Sequence, residues 1–148
     1  MVNELTVLKS IHVLAAAFWV GGGFALNVAM YLAPRSGNPA NMLAAMRLAK
    51  FLGTHVFSWL ALIVLVTGVW MTEKYYEWGE LWIDFGLAGL LIATAIGLFY
   101  LRPKAARGIA GIESGAPPPP GRNWVPIVAR LNLLIVSAVL VLMVIRPD

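Results

Sequence analysis

Two histidines are the residues of this sequence best suited to chemistry, and one of them lies inside an otherwise apolar run. His12 sits in "KSIHVLAAAFWVGGG", residues 9–23, and His55 sits in "FLGTHVFSWL", residues 51–60. A neutral imidazole is a common metal ligand and a proton carrier near neutral pH. In hydrocarbon it also needs a partner, because an unpaired polar group there costs free energy. Each histidine therefore has two readings: a ligand, or a core residue hydrogen-bonded to a carbonyl or water. Other chemistries are excluded more firmly. The chain has no cysteine, so it builds no disulfide, no zinc–thiolate site, no iron–sulfur cluster and no covalent c-type haem attachment. Asp84 is the one acid inside the apolar spans, so no acid/base carboxylate pair is available, and hydrolase and kinase motifs are absent.

These residues must be positioned by elements that live in lipid. The chain has 148 residues, of which 60% are hydrophobic and 12% are charged. A soluble domain carries about 25% charged residues. Apolar segments run roughly Leu5–Leu32, Phe51–Met71, Leu81–Leu101 and Trp124–Ile145. Each is long enough to cross ~30 Å of hydrocarbon at 1.5 Å per residue. Backbone groups in lipid must be satisfied internally, so the spans are helices. The expected fold is an all-α integral membrane protein, one domain over 1–148, forming an antiparallel four-helix bundle. The first segment lacks the basic start and cleavage site of a signal peptide. "NPANMLAAMRLAKF" reads as an amphipathic start to the second helix from about residue 40, lying on the membrane surface. Residues 106–123, with four consecutive prolines, read as a linker.

Charge gives orientation. Seven of the eleven Lys and Arg residues fall in the first and third connections. These loops are expected in the cytoplasm and both termini in the periplasm of a bacterial cell, across its inner membrane. The net charge of +4 is not a nucleic-acid signal, because the basic residues flank hydrophobic runs.

On the first helix Lys9, His12, Ala16, Trp19, Gly23, Asn27 and Met30 recur at three and four residues and form one stripe. The stripe holds the strongly polar side chains of the helix core, so it faces protein. Ala17, Gly21 and Ala25 lie beside it and suit a close helix contact, a flat ligand or a homodimer. On the last helix Arg130 either snorkels to headgroups or pairs with a buried anion. The two histidines are expected at different depths, roughly 15–20 Å apart along the bundle. A haem held by both within one chain is disfavoured on that count. Near His12 the expected neighbours are Lys9, Met71, Asp84 and Met143; near His55 they are Arg130, Tyr100 and Met46.

A porphyrin is flat and apolar with two anionic propionates, and suits a bundle interior with small residues, aromatics and an arginine. Copper is the alternative, since Met and His suit Cu(I), although no Met-x-x-Met or His-x-x-x-His pair shares a face. The expected cofactor-binding set is His12, Trp19, Gly23, His55 and Arg130, with His12 and His55 as metal ligands.

"LKSIHVLAAAFWVGGG", followed by "APR" at the helix end, resembles the first helix of a superfamily of small bacterial membrane proteins. That superfamily includes the four-helix protoporphyrinogen oxidase and the copper-resistance protein D family. "LALIVLVTGVWM" and "ARLNLLIVSAVLVLMVIRP" are similar to its second and last helices. The resemblance implies a four- or five-helix bundle and, for the oxidase branch, a b-type haem held by His12. The third helix departs from that branch in having neither a basic residue nor a histidine, and Leu133 stands where the branch has an acid. The combined expectation is a haem b protein with a redox or haem-pathway role and a redox partner. The alternative is a non-enzymatic membrane component, either copper-permease-like or a small partner subunit.

Overall fold

The computed structural model describes residues 3–116 and 123–145, and these are helical apart from short connections, with no strand among them. Helix α1 spans Glu4–Leu32 and starts where the Asn3 side chain accepts a hydrogen bond from the Thr6 amide at 2.8 Å. A short 3-10 turn over Ala33–Ser36 ends at Gly37, whose φ of 67° suits glycine. Asn38 then caps α2, Pro39–Phe51, with Pro39 in the first turn.

Helix α2 does not stop before the membrane span. A π-helical turn over Leu52–Val56 carries it into α3, Phe57–Tyr75, so that 37 residues form one rod. The return is built the same way. Helix α4, Leu81–Ala95, passes through a second π-helical turn, Ile96–Leu101, into α5, Arg102–Glu113, a rod of 33 residues. Helix α6, Val125–Ile145, has 21 residues. At 1.5 Å per residue the rods measure about 55 and 50 Å, and α6 about 31 Å. Only α6 matches the hydrocarbon thickness, so the rods project well beyond it at one end.

Among the described residues, four helices are long and apolar enough to cross, and they close a ring in the order α1, α3, α4, α6. The tightest pairs are α1 with α3 and α4 with α6. Glycines set the second contact: a Cβ at Gly89 would run into Val139, and one at Gly86 into Met143. The dry centre is Trp19 packed on Ala61 and Ala93, with Phe57, Leu60, Leu90, Ile135 and Val136 around it. Large apolar side chains such as Phe18, Phe24, Trp59 and Phe85 are exposed, which is the expected outer face of a bundle in lipid.

The projecting ends, α2 and α5, pack on each other rather than lying flat on a membrane. Met46 fills the space beside Gly108, Ala45 and Ile109 are buried, and Arg47 bonds Glu113 at 2.6 Å. That packing bears on two expected features. The second helix is helical from Pro39, with Ala45 and Met46 toward α5 while Leu48 and Phe51 stay exposed. The linker expected over 106–123 begins later, because "RPKAARGIAGIE" keeps a partner in α2 and stays helical to Glu113. The helix ends at Gly115, φ 67°. The prolines of that linker, at 117–120, lie outside the described residues.

Gly89→Val should destabilise the bundle by about 1–3 kcal/mol, because the core cannot expand to take the added atoms. Gly21→Ala should hold or slightly raise stability, since nothing lies within 4 Å of a Cβ there and alanine is the better helix former. Thermal denaturation of the two variants in detergent checks the pair.

Candidate functional site

His12 is 6% exposed and points from α1 into α3. Its Nδ1 lies 2.8 Å from Thr67 Oγ1. Thr67 has a single hydroxyl proton, and its oxygen already donates to a carbonyl one turn back, Ile63 O at 2.6 Å. With that proton on Ile63 O, the hydroxyl accepts from the ring, an arrangement that puts the ring proton on Nδ1 and the lone pair on Nε2. Gly68 makes the approach fit: a Cβ there would sit 3.2 Å from His12 Cε1. Thr72, also buried, donates to Gly68 O at 3.0 Å, so the α3 hydroxyls are internally satisfied.

A cavity of about 200 Å³ opens beside this imidazole, at the end of the bundle that carries both termini. Lys9, Met71 and Met143 line it with His12, and Trp19 forms its floor toward the dry centre. Tyr76 and Trp78, from the connection between α3 and α4, and Trp82, in the first turn of α4, form its rim. Tyr76 meets Trp82 edge to face, with centroids 5.2 Å apart, and the Lys9 ammonium lies 5.8 Å from the Tyr76 ring centroid. Among the described residues, no carboxylate lines the cavity. Asp84 is exposed and faces away, one position past the buried Ile83 on α4. Glu4 is engaged elsewhere at the same end: it pairs with Lys74 and accepts from Trp70 Nε1 at 3.1 Å, which ties the start of α1 to the end of α3.

Three expected site residues stand apart. Position 55 precedes position 67, the partner of His12, by 12 residues, about 18 Å of helix at 1.5 Å per residue. His55 is exposed in the first π-helical turn and stacks on Phe51 with centroids 5.1 Å apart. Gly23 meets Leu133 of α6, so it serves a helix contact rather than the cavity. Arg130 is exposed at the far end from His12, less than two turns into α6, and does not line the cavity. The Ala17–Gly21–Ala25 strip faces outward from the bundle, while His12 faces α3. Two copies packed on that strip would therefore not bring two His12 rings together.

Thr67, Gly68 and Gly86 are site residues that the sequence reading missed. The signal was a Thr-Gly pair inside an apolar helix, a place where both residue types usually need a packing reason.

The comparisons agree with this architecture. A family model described as "Predicted integral membrane protein (DUF2269)" matches residues 6–147. The chain belongs to that family. No curated protein and no solved structure gives a match. Membership covers all four candidate spans and the whole of the His12 cavity.

The tautomer assignment has a direct check. The protein has two histidines, so side-chain ¹⁵N spectra of histidine-labelled protein resolve both. His12 should show the Nδ1-protonated form, and Thr67→Val should remove that preference while leaving the His55 signals in place. A His12 ring protonated on Nε2 in the unaltered protein would contradict the hydrogen-bond assignment.

Proposed function

We propose that this chain is a redox protein of the bacterial inner membrane that holds haem b through His12 Nε2. The observation that carries the reading is the buried, pre-oriented imidazole. Its Nδ1 lies against the Thr67 hydroxyl, the ring itself lines a cavity, and the tautomer with Nδ1 protonated leaves Nε2 to act as ligand. A ring nitrogen anchored by a hydrogen bond on its other side is the usual arrangement of a metal-ligating histidine. The resemblance of "KSIHVLAAAFWVGGG" to haem-binding membrane proteins supports the same assignment.

The donor set suits an iron porphyrin. His12 would hold the iron, and Met71 and Met143 are thioethers lining the same cavity. Lys9 would offer a cation to an anionic propionate, and among the described residues lining the cavity no carboxylate opposes it. The enclosed space is the constraint. About 200 Å³ is less than the ~300–1,000 Å³ of sites that take drug-sized ligands. A whole macrocycle fits only if Met143 and Val139 withdraw from the notches at Gly86 and Gly89. Haem would supply one-electron transfer. The chain's own residues would orient the axial ring, keep water out through the Trp19 layer and balance charge at the mouth.

The volume favours a second reading, a single soft metal ion. One imidazole and two thioethers line the same cavity and suit Cu(I), and a bare ion needs far less room than a macrocycle. The absorption spectrum separates the two. Protein purified after expression with haem precursor should show a Soret band that shifts on dithionite. His12→Ala should lose it, and His55→Ala should keep it. A colourless protein that binds Cu(I) in a His12-dependent way overturns the haem assignment and leaves the copper one.

The orientation belongs to the same proposal. Arg35, Lys50, Arg102 and Lys104 cluster at the end away from His12, so that end faces the cytoplasm and the cavity opens toward the periplasm. Alkaline phosphatase fused after Asp148 should be active, and a fluorescent protein fused there should be dark. The reverse pattern would invert the bundle.

A further inference from the structure

Among the described residues, two buried side-chain atoms have no protein hydrogen-bond partner: Thr54 Oγ1 and Asn132 Oδ1. They come from different elements but lie at nearly one depth. A Cβ at Gly22 would touch Phe57, and one at Gly23 would touch Leu133, so Phe57 and Leu133 face successive residues of α1. Thr54 precedes Phe57 by less than one turn, and Asn132 precedes Leu133 by one residue, both toward the basic end. Seven residues separate Asn132 from the start of α6 at Val125, about 10 Å of helix.

Both π-helical turns lie at this level and touch each other. Such a turn widens the helix and loosens its carbonyls, and Ser58 Oγ donates to one of them, Gly53 O, at 3.1 Å. Gly53 and Gly97, one in each turn, have nothing within 4 Å of a Cβ position. On the other side of this layer, toward His12, the bundle is closed by Trp19, Ala61 and Ala93 with their apolar neighbours.

From this arrangement we infer a second polar site: a hydrated layer between the paired π-helical turns, where water bonds Thr54, Asn132 and the loosened carbonyls and exchanges with the basic side. Asn132 Oδ1 accepts only, and no side chain donates to it, so its partner must bring its own proton. Water meets that need, and several polar partners are there to hold it. The Trp19 layer stops it. The bundle then has two polar compartments, each open toward a different side of the membrane, with a dry septum between them. The inference stands independently of what His12 binds.

The chain contains no cysteine, so a single introduced thiol is the only one. Thr54→Cys, Asn132→Cys and Ala93→Cys are each placed in vesicles of known orientation and treated with a charged, membrane-impermeant methanethiosulfonate. Thiols at 54 and 132 should react about tenfold or more faster than the thiol at 93, because only a hydrated thiol ionises readily. They should do so only when the reagent is on the basic side. Rates as slow as that of Ala93→Cys, or equal labelling from both sides, would overturn the inference. A readout on the unaltered protein covers the case in which a variant fails to fold. Backbone amides over 53–57 and 96–101 should exchange with deuterium faster than those over 88–94, beside the septum. Equal protection in these segments would also overturn it.

Discussion

The hydrogen bond between His12 Nδ1 and Thr67 Oγ1 is the interaction on which the rest of the site depends. It couples the ring's tautomer to the Thr67 hydroxyl, and the tautomer decides what the ring can bind. It also fixes register, since α1 and α3 can slide by a turn only by stranding an imidazole in an apolar wall. Gly68 is the cost of bringing the ring that close. The backbone gives up helix propensity there so that a five-membered ring can lie against it. From this one contact follow the position of the cavity, the approach of Met71, and the height of Trp19 below it.

Solvent imposes the second constraint. In lipid every backbone group must bond within its own helix, so irregular structure is confined to the ends and to two π-helical turns. Those turns stand at the level where the spanning rods continue into α2 and α5. Polar side chains follow the same logic. Thr67 and Thr72 return their protons to their own helix, and Asn27 donates to Gly23 O at 2.9 Å. The bundle can therefore be polar in two narrow layers and dry between them.

Much of this was legible in the residues. Four apolar runs of spanning length determine an all-helical membrane bundle, because lipid leaves few alternatives. The stripe of Lys9, His12, Ala16 and Trp19 marked the inward face of α1, and Met71 and Met143 could be named as neighbours of His12 by depth alone. What was not legible depended on partners far away in sequence. Thr67 is an ordinary threonine until His12 is set against it. The pair Met71 and Met143 shares no helix face, so no spacing rule finds it. Arg130 and Gly23 had the right chemistry for a cofactor, but rotation about a helix axis put one on the surface and the other against Leu133. The helical character of 106–113 was hidden because its stabilising partner, α2, lay some sixty residues upstream. Single-sequence periodicity sees each helix face, but not which face another helix will cover.

The continuous rod from Pro39 to Tyr75 has a mechanical consequence. Arg47, on the projecting part, and Thr67, beside His12, belong to one helix, 20 positions apart, a separation of about 30 Å. Helices resist bending, and the softest place along this one is the π-helical turn between them. The rod is thus a lever with its fulcrum near the membrane boundary and a handle clamped to α5 by Glu113. A load that tilts the handle is therefore taken up first at that turn, which spares the distance between Thr67 and the imidazole it holds.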